Sequence, residues 1–142
     1  MYEPIRTKSV HSVAATTTSA PPRRSRAEEL DFQLAGHLSA LLTVTDELRA
    51  LAPSDDLGHA ADQLAASVTR LRHGHPPARL PRPTETGAPA ARITALHRRA
   101  HALAGRALVV AASRADTAVA ILAAERMDAH APAAEPRALA AR

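Results

Sequence analysis

Apolar residues recur along this chain in three runs with helical spacing. The first comprises Leu30, Leu34, Leu41, Val44, Leu48 and Leu51. The second is Leu57, Ala61, Leu64, Val68 and Leu71, and the third is Ile93, Leu96, Ala100, Leu103, Ala107 and Val110. Steps of three, four or seven residues put each set on one side of an α-helix, which must bury that side against another surface. The pattern predicts an all-α helical bundle: an antiparallel helix hairpin packed along a longer third helix.

Local chemistry sets the ends of these helices. Ser25 is placed to cap the first, with Glu28 three residues on completing a capping box and Glu29 favouring the positive end of the dipole. Pro53 ends it, because a residue before proline resists helical geometry, so the predicted span is 26–52. Ser54 caps the second helix, with Asp55 and Asp56 in its first turn and Gly74 as its C-terminal cap, giving 55–73. So short a connection makes the two an antiparallel hairpin. A proline-rich connector, 74–88, follows, and Pro89 suits the first position of the third helix, predicted to reach 129 ahead of Pro132. The domain is thus 25–130, flanked by a disordered leader at 1–24 and a disordered tail at 131–142. The leader is a Ser/Thr/Ala/Pro tract without periodicity.

The helix lengths do not match. At 1.5 Å per residue the first helix is about 40 Å long and the third about 60 Å, so the hairpin covers only part of its partner. Beyond Val110 the third helix is also apolar on more than one stripe. Leu108, Val109, Ala112, Ala115, Ala118, Val119 and Leu122 therefore form a candidate contact surface for a second copy or another protein. The alternative is a kink near Gly105 or at Ser113-Arg114-Ala115-Asp116, with the remainder folding back as a fourth helix. The second of these is only a weak capping-box match and no turn sequence separates the two halves, so a continuous helix is expected.

Composition narrows the function. The 142 residues contain no cysteine, which excludes disulfides, thiolate catalysis and cysteine-bound zinc or iron–sulfur centres. Tyr2 and Phe32 are the only aromatic residues, so the core must be built from Leu, Val and Ala. Alanine makes up about a quarter of the chain, well above average usage. Lys8 is the only lysine among eighteen Lys and Arg residues. Alanine, arginine and proline have GC-rich codons, so the composition resembles that of small proteins from GC-rich actinobacteria. It brings no motif diagnostic of a family. Codon bias also accounts for much of the net charge of +4. Tyr2, Ile5 and Lys8 depart from that bias within eight residues, making the tip of the leader a second candidate contact, a short linear motif. No stretch resembles a signal peptide, and Arg106, Arg114 and Asp116 interrupt the most apolar segment, so a cytoplasmic protein with no membrane span is expected.

Candidate chemistry is sparse. His97 and His101, at i and i+4, share a helix face at a spacing that suits metal ligation. Arg98 and Arg99 lie between them and no carboxylate is nearby, so solvent-facing histidines on a basic face are expected instead of a metal site. His37 falls on the seam of the first helix, where partial burial is expected. Asp55 and Asp56 are accounted for by capping, and the serines and glycines form neither a nucleophile elbow nor a phosphate loop. No enzyme activity and no cofactor are expected. Three arginine clusters (Arg23, Arg24 and Arg26; Arg70, Arg72, Arg79 and Arg82; Arg92, Arg98, Arg99 and Arg106) admit nucleic acid as an alternative partner. The lack of aromatics for base stacking weighs against it. The expected function is a non-enzymatic protein–protein interaction module, either a regulatory adaptor or a structural accessory protein.

Overall fold

In a computed structural model of the chain, residues 23–81 and 89–135 are described. Tyr2, Ile5 and Lys8, most of the expected leader, residues 82–88 of the connector and the last seven residues lie outside them. The described residues form four helices: α1 (Arg26–Leu51), α2 (Asp55–Leu71), α3 (Ala90–Arg114) and α4 (Thr117–Ala134).

The first hairpin follows its local chemistry. Ser25 Oγ accepts the Glu28 amide at 3.1 Å while Glu28 accepts the Ser25 amide at 3.1 Å, a complete capping box. Ser54 Oγ accepts the Leu57 amide and starts α2. At the end of α2 the Gly74 amide reaches the Thr69 carbonyl and the His73 amide reaches that of Arg70, a Schellman ending. The residue that first turns left-handed there is His73 (φ 54°), with Gly74 (φ 96°) following it. Glycine therefore completes the cap and does not open it.

The third helix is not continuous to residue 129. It passes through Gly105 and ends at Arg114, and the chain folds back as α4. Ala115 takes a left-handed conformation (φ 59°, ψ 33°), and the Asp116 amide bonds the Ala111 carbonyl at 2.9 Å, a second Schellman ending. Asp116 then caps the next helix by accepting the Val119 amide on its side chain. Ser113 does not cap, because its hydroxyl donates back to the Val109 carbonyl. One residue thus closes α3 and opens α4. The left-handed conformation costs alanine about 1–2 kcal/mol, partly offset in any comparison by the greater unfolded-state freedom of glycine. Ala115→Gly is expected to stabilise the protein by about 0.5–1 kcal/mol, measured as a Tm increase of a few degrees. The tail also departs from expectation: α4 continues through Pro132 to Ala134.

The two hairpins pack with antiparallel neighbours. Near one end of the bundle Arg92 of α3 meets Glu47 of α1 at 3.7 Å, and at the other Arg114 of α3 meets Asp31 of α1 at 3.0 Å. The edge between α2 and α4 is closed by ion pairs at both ends, Arg126–Asp56 at 3.2 Å and Arg70–Asp116 at 2.8 Å. Leucines of α1 (Leu34, Leu38, Leu41, Leu42 and Leu48) fill the core against Leu57, Leu64 and Val68 of α2 and Leu103 of α3. Alanines 100, 104, 107 and 111 supply most of the buried face of α3, so its neighbours approach its backbone closely. Val119, Leu122 and Ala123 bring α4 into the same core.

Between α2 and α3 the chain must return along the bundle, and Asp46 anchors that return. Its buried carboxylate accepts Arg79 Nε at 2.9 Å and Nη2 at 2.8 Å, and the Leu80 amide at 3.4 Å. Burial alone would raise the pKa of Asp46, but the Arg79 fork, the Leu80 amide and the charge of Arg49 together hold it below the ordinary carboxylate value.

Candidate functional site

Two features of the α3–α4 hairpin stand apart from ordinary core packing. The first is an apolar groove at its turn. Ala111, Ala112 and Ala115 line one side, Thr117, Ala120, Ile121 and Ala124 the other, with Asp116 at the turn between them, and the cavity volume is about 330 Å³. Val109 is 66% exposed and Ile121 54%, two of the four large apolar side chains left open among the described residues. Of the distal residues expected to meet a partner, Val109, Ala112, Ala115 and Ala118 are exposed and Leu108 is half-buried. Val119 and Leu122 are not surface residues. They are 1% and 7% exposed because the fold-back turns them into the core.

The second feature is a chain of polar side chains across the opposite half of the hairpin. His130 of α4 is 1% exposed, and its Nδ1 lies 2.9 Å from Nδ1 of His97 on α3. On its other side His130 Nε2 lies 3.3 Å from Arg126 Nη2, one helical turn earlier. Arginine can only donate, so His130 Nε2 accepts, and the His130 proton sits on Nδ1 and is donated to His97. Arg126, itself buried, donates from Nη1 to both carboxylate oxygens of Asp56 on α2 at 3.2 and 3.3 Å. Its Nε is buried with no partner among the described residues. Burial first, then the charge of Arg126 and the proximity of His97, push His130 down to about 4. Burial and Arg126 also lower His97.

His97 and His101 therefore do not face solvent, nor do they converge on one point. Both are half-buried against α4, where His101 Nδ1 donates to the Met127 carbonyl at 3.1 Å while His97 accepts from His130. Among the described residues no group of three or more His, Asp or Glu side chains is placed to hold a metal ion. The i, i+4 spacing correctly put the two rings on one face. Sequence reasoning missed His130 and Arg126, which lie far along the chain and belong to a helix that was not expected. His37 is half-buried in α1.

The arginines are distributed differently from their sequence clusters. Arg70, Arg79, Arg92 and Arg114 each meet a carboxylate of another segment, respectively Asp116, Asp46, Glu47 and Asp31. Arg24 meets Glu29 and lies over the ring of Phe32 at 4.2 Å. No helix of the described residues is long and apolar enough to cross a membrane. No family model matches the chain, and comparison found neither a characterised relative nor a similar solved structure.

Proposed function

We propose that this chain is a non-enzymatic helical interaction module, a regulatory adaptor or structural accessory protein of the cytoplasm. Its contact surface is the groove at the α3–α4 turn, and its partner is another protein or a second copy. The observation that supports this is the exposure of Val109 and Ile121 beside a groove walled by alanines, in a hairpin whose other large aliphatic side chains are at least half-buried. Small side chains let a partner's backbone approach closely, and the two larger ones supply apolar area around it. Arg70, Arg79, Arg92 and Arg114 are each paired at the surface with a carboxylate of this chain, which offsets part of the positive charge open to phosphates and favours a protein contact over nucleic acid.

Light scattering on the full chain, with capture from its native cytosol before and after nuclease treatment, tests this reading. Self-association, or a nuclease-resistant partner, should be lost in the Val109→Asp, Ile121→Asp double variant while the melting curve stays unchanged. A strictly monomeric protein whose partners all vanish with nuclease would replace this reading with the nucleic-acid one.

A further inference from the structure

The polar chain at the far half of the hairpin is the least expected feature of the core, and each of its links is directional. Asp56 holds Arg126, Arg126 donates to His130, and His130 donates to His97, so three helices are joined through neutral imidazoles. We propose that this relay is a proton-released latch. With His130 neutral it fastens the C-terminal half of α4 to α2 and α3; protonation of the histidine pair unfastens residues 126–134 while the rest of the bundle stays folded.

The geometry leaves no place for an added proton. A proton on His130 Nε2 would point at the guanidinium of Arg126, donor against donor. A proton on His97 Nδ1 would point at the Nδ1–H of His130. Either event breaks the same chain. The groups facing His130 are Arg126 on α4, His97 and His101 on α3, and Asp56 on α2; no charged group of α1 acts on it. Asp56 is the only anion among them, its side chain is 65% exposed, and it is already engaged by Arg126. A second cation in that cluster would be repelled with little compensation. The low proton affinity of His130 agrees with this layout.

The segment to be released is also the part of α4 held least by its own backbone. Pro132 cannot donate to the Asp128 carbonyl. A cleft of about 510 Å³, whose lining includes Ile93, Thr94, His97 and Pro132, already separates the start of α3 from the end of α4, and Glu135 is the one carboxylate among the described residues that lines it with His97. The first half of α4 is fastened independently by the Asp116 cap, the Arg70 ion pair and the burial of Val119 and Leu122. Release at one end therefore does not require unfolding at the other.

The test uses the full chain labelled with nitrogen-15, with backbone amide resonances followed from pH 7.5 to 3.5. The amides of residues 126–134 should lose their helical shifts and their protection from hydrogen exchange together, with a common midpoint below the ordinary histidine value of 6.5, while α1 and the start of α4 keep theirs at that midpoint. His130→Gln keeps an acceptor for Arg126 and a donor for His97 but cannot be protonated, and should move that transition to the single proton that His97 can still take. The same midpoint in His130→Gln overturns the proposal, as does a simultaneous loss of all four helices in the native chain. If the glutamine variant does not fold, the imidazole resonances of the native protein decide. A His130 ring that protonates near 6.5 with no change in residues 126–134 also overturns it.

Discussion

Leu122→Asp is expected to unfold the protein, whereas Ile121→Asp, one residue earlier, should change its stability by less than about 0.5 kcal/mol. Leu122 is 7% exposed and packs in the core with Val119 and Ala123, while Ile121 is 54% exposed. Losing a buried leucine forfeits about 2–3 kcal/mol of apolar transfer. Burying an unpaired carboxylate in its place costs several kcal/mol more, even after the group takes up a proton. Together these reach about 5 kcal/mol or more, comparable to the whole stability of a domain this size. Far-UV circular dichroism and thermal melting read the result directly. A continuous third helix would give a different pattern, since Leu122 would then face a partner and its substitution would cost association, not folding. A Leu122→Asp variant that melts like the native protein would therefore contradict the fold-back.

That contrast also shows which parts of the fold could be read from the chain. Ser25 with Glu28, Ser54 with its two aspartates, and Pro53 act within a few residues, so their effects are written locally and α1 and α2 have the expected limits within two residues. The α3–α4 turn carries only a weaker mark, the stretch Ser113-Arg114-Ala115-Asp116, in which Asp116 is the cap and no glycine or proline stops the preceding helix. Its left-handed residue is an alanine, and its cap, Asp116, is both the last residue of one ending and the first of the next. What fixes it is tertiary: Val119, Leu122 and Ala123 reach the core only if the chain reverses, and Arg70 holds Asp116 from α2. The excess of apolar residues from Leu108 to Leu122 did signal a surface needing a partner. The partner of its inner part is the bundle itself, and only Val109, Ile121 and the neighbouring alanines are left over. The relay was illegible for a related reason. His97 and His130 are 33 residues apart, and no helical periodicity connects them until α4 has turned back.

Acidification should weaken this protein in two separable stages, and their order follows from the sign of each shift. His130 has an ordinary value of 6.5 in the unfolded chain and about 4 in the folded one. Between those limits the unfolded state binds the proton and the native state does not, so stability rises with pH across that window and is lost as pH falls through it. At about 1.4 kcal/mol per pH unit the loss from pH 6.5 to 4 is about 3 kcal/mol. The depression of His97, caused by burial and the charge of Arg126, has the same sign and adds to the loss as pH falls below 6.5. Asp46 and Asp116 belong to a lower stage. Burial opposes their ionisation, but Arg79 and the Leu80 amide hold the first below its ordinary 3.8, and Arg70 and the Val119 amide hold the second there. Their contribution is intact above 3.8 and disappears only as pH falls through their folded values. Urea denaturation at a series of pH values should accordingly show a first decline between 6.5 and 4 and a second below it. His130→Gln should flatten most of the first and leave the second in place. Asp46→Asn should do the reverse, lowering stability at neutral pH and weakening only the second stage. A native protein equally stable at pH 7 and pH 4.5 would show that His130 is not held neutral by its surroundings, and the buried relay would have to be read differently.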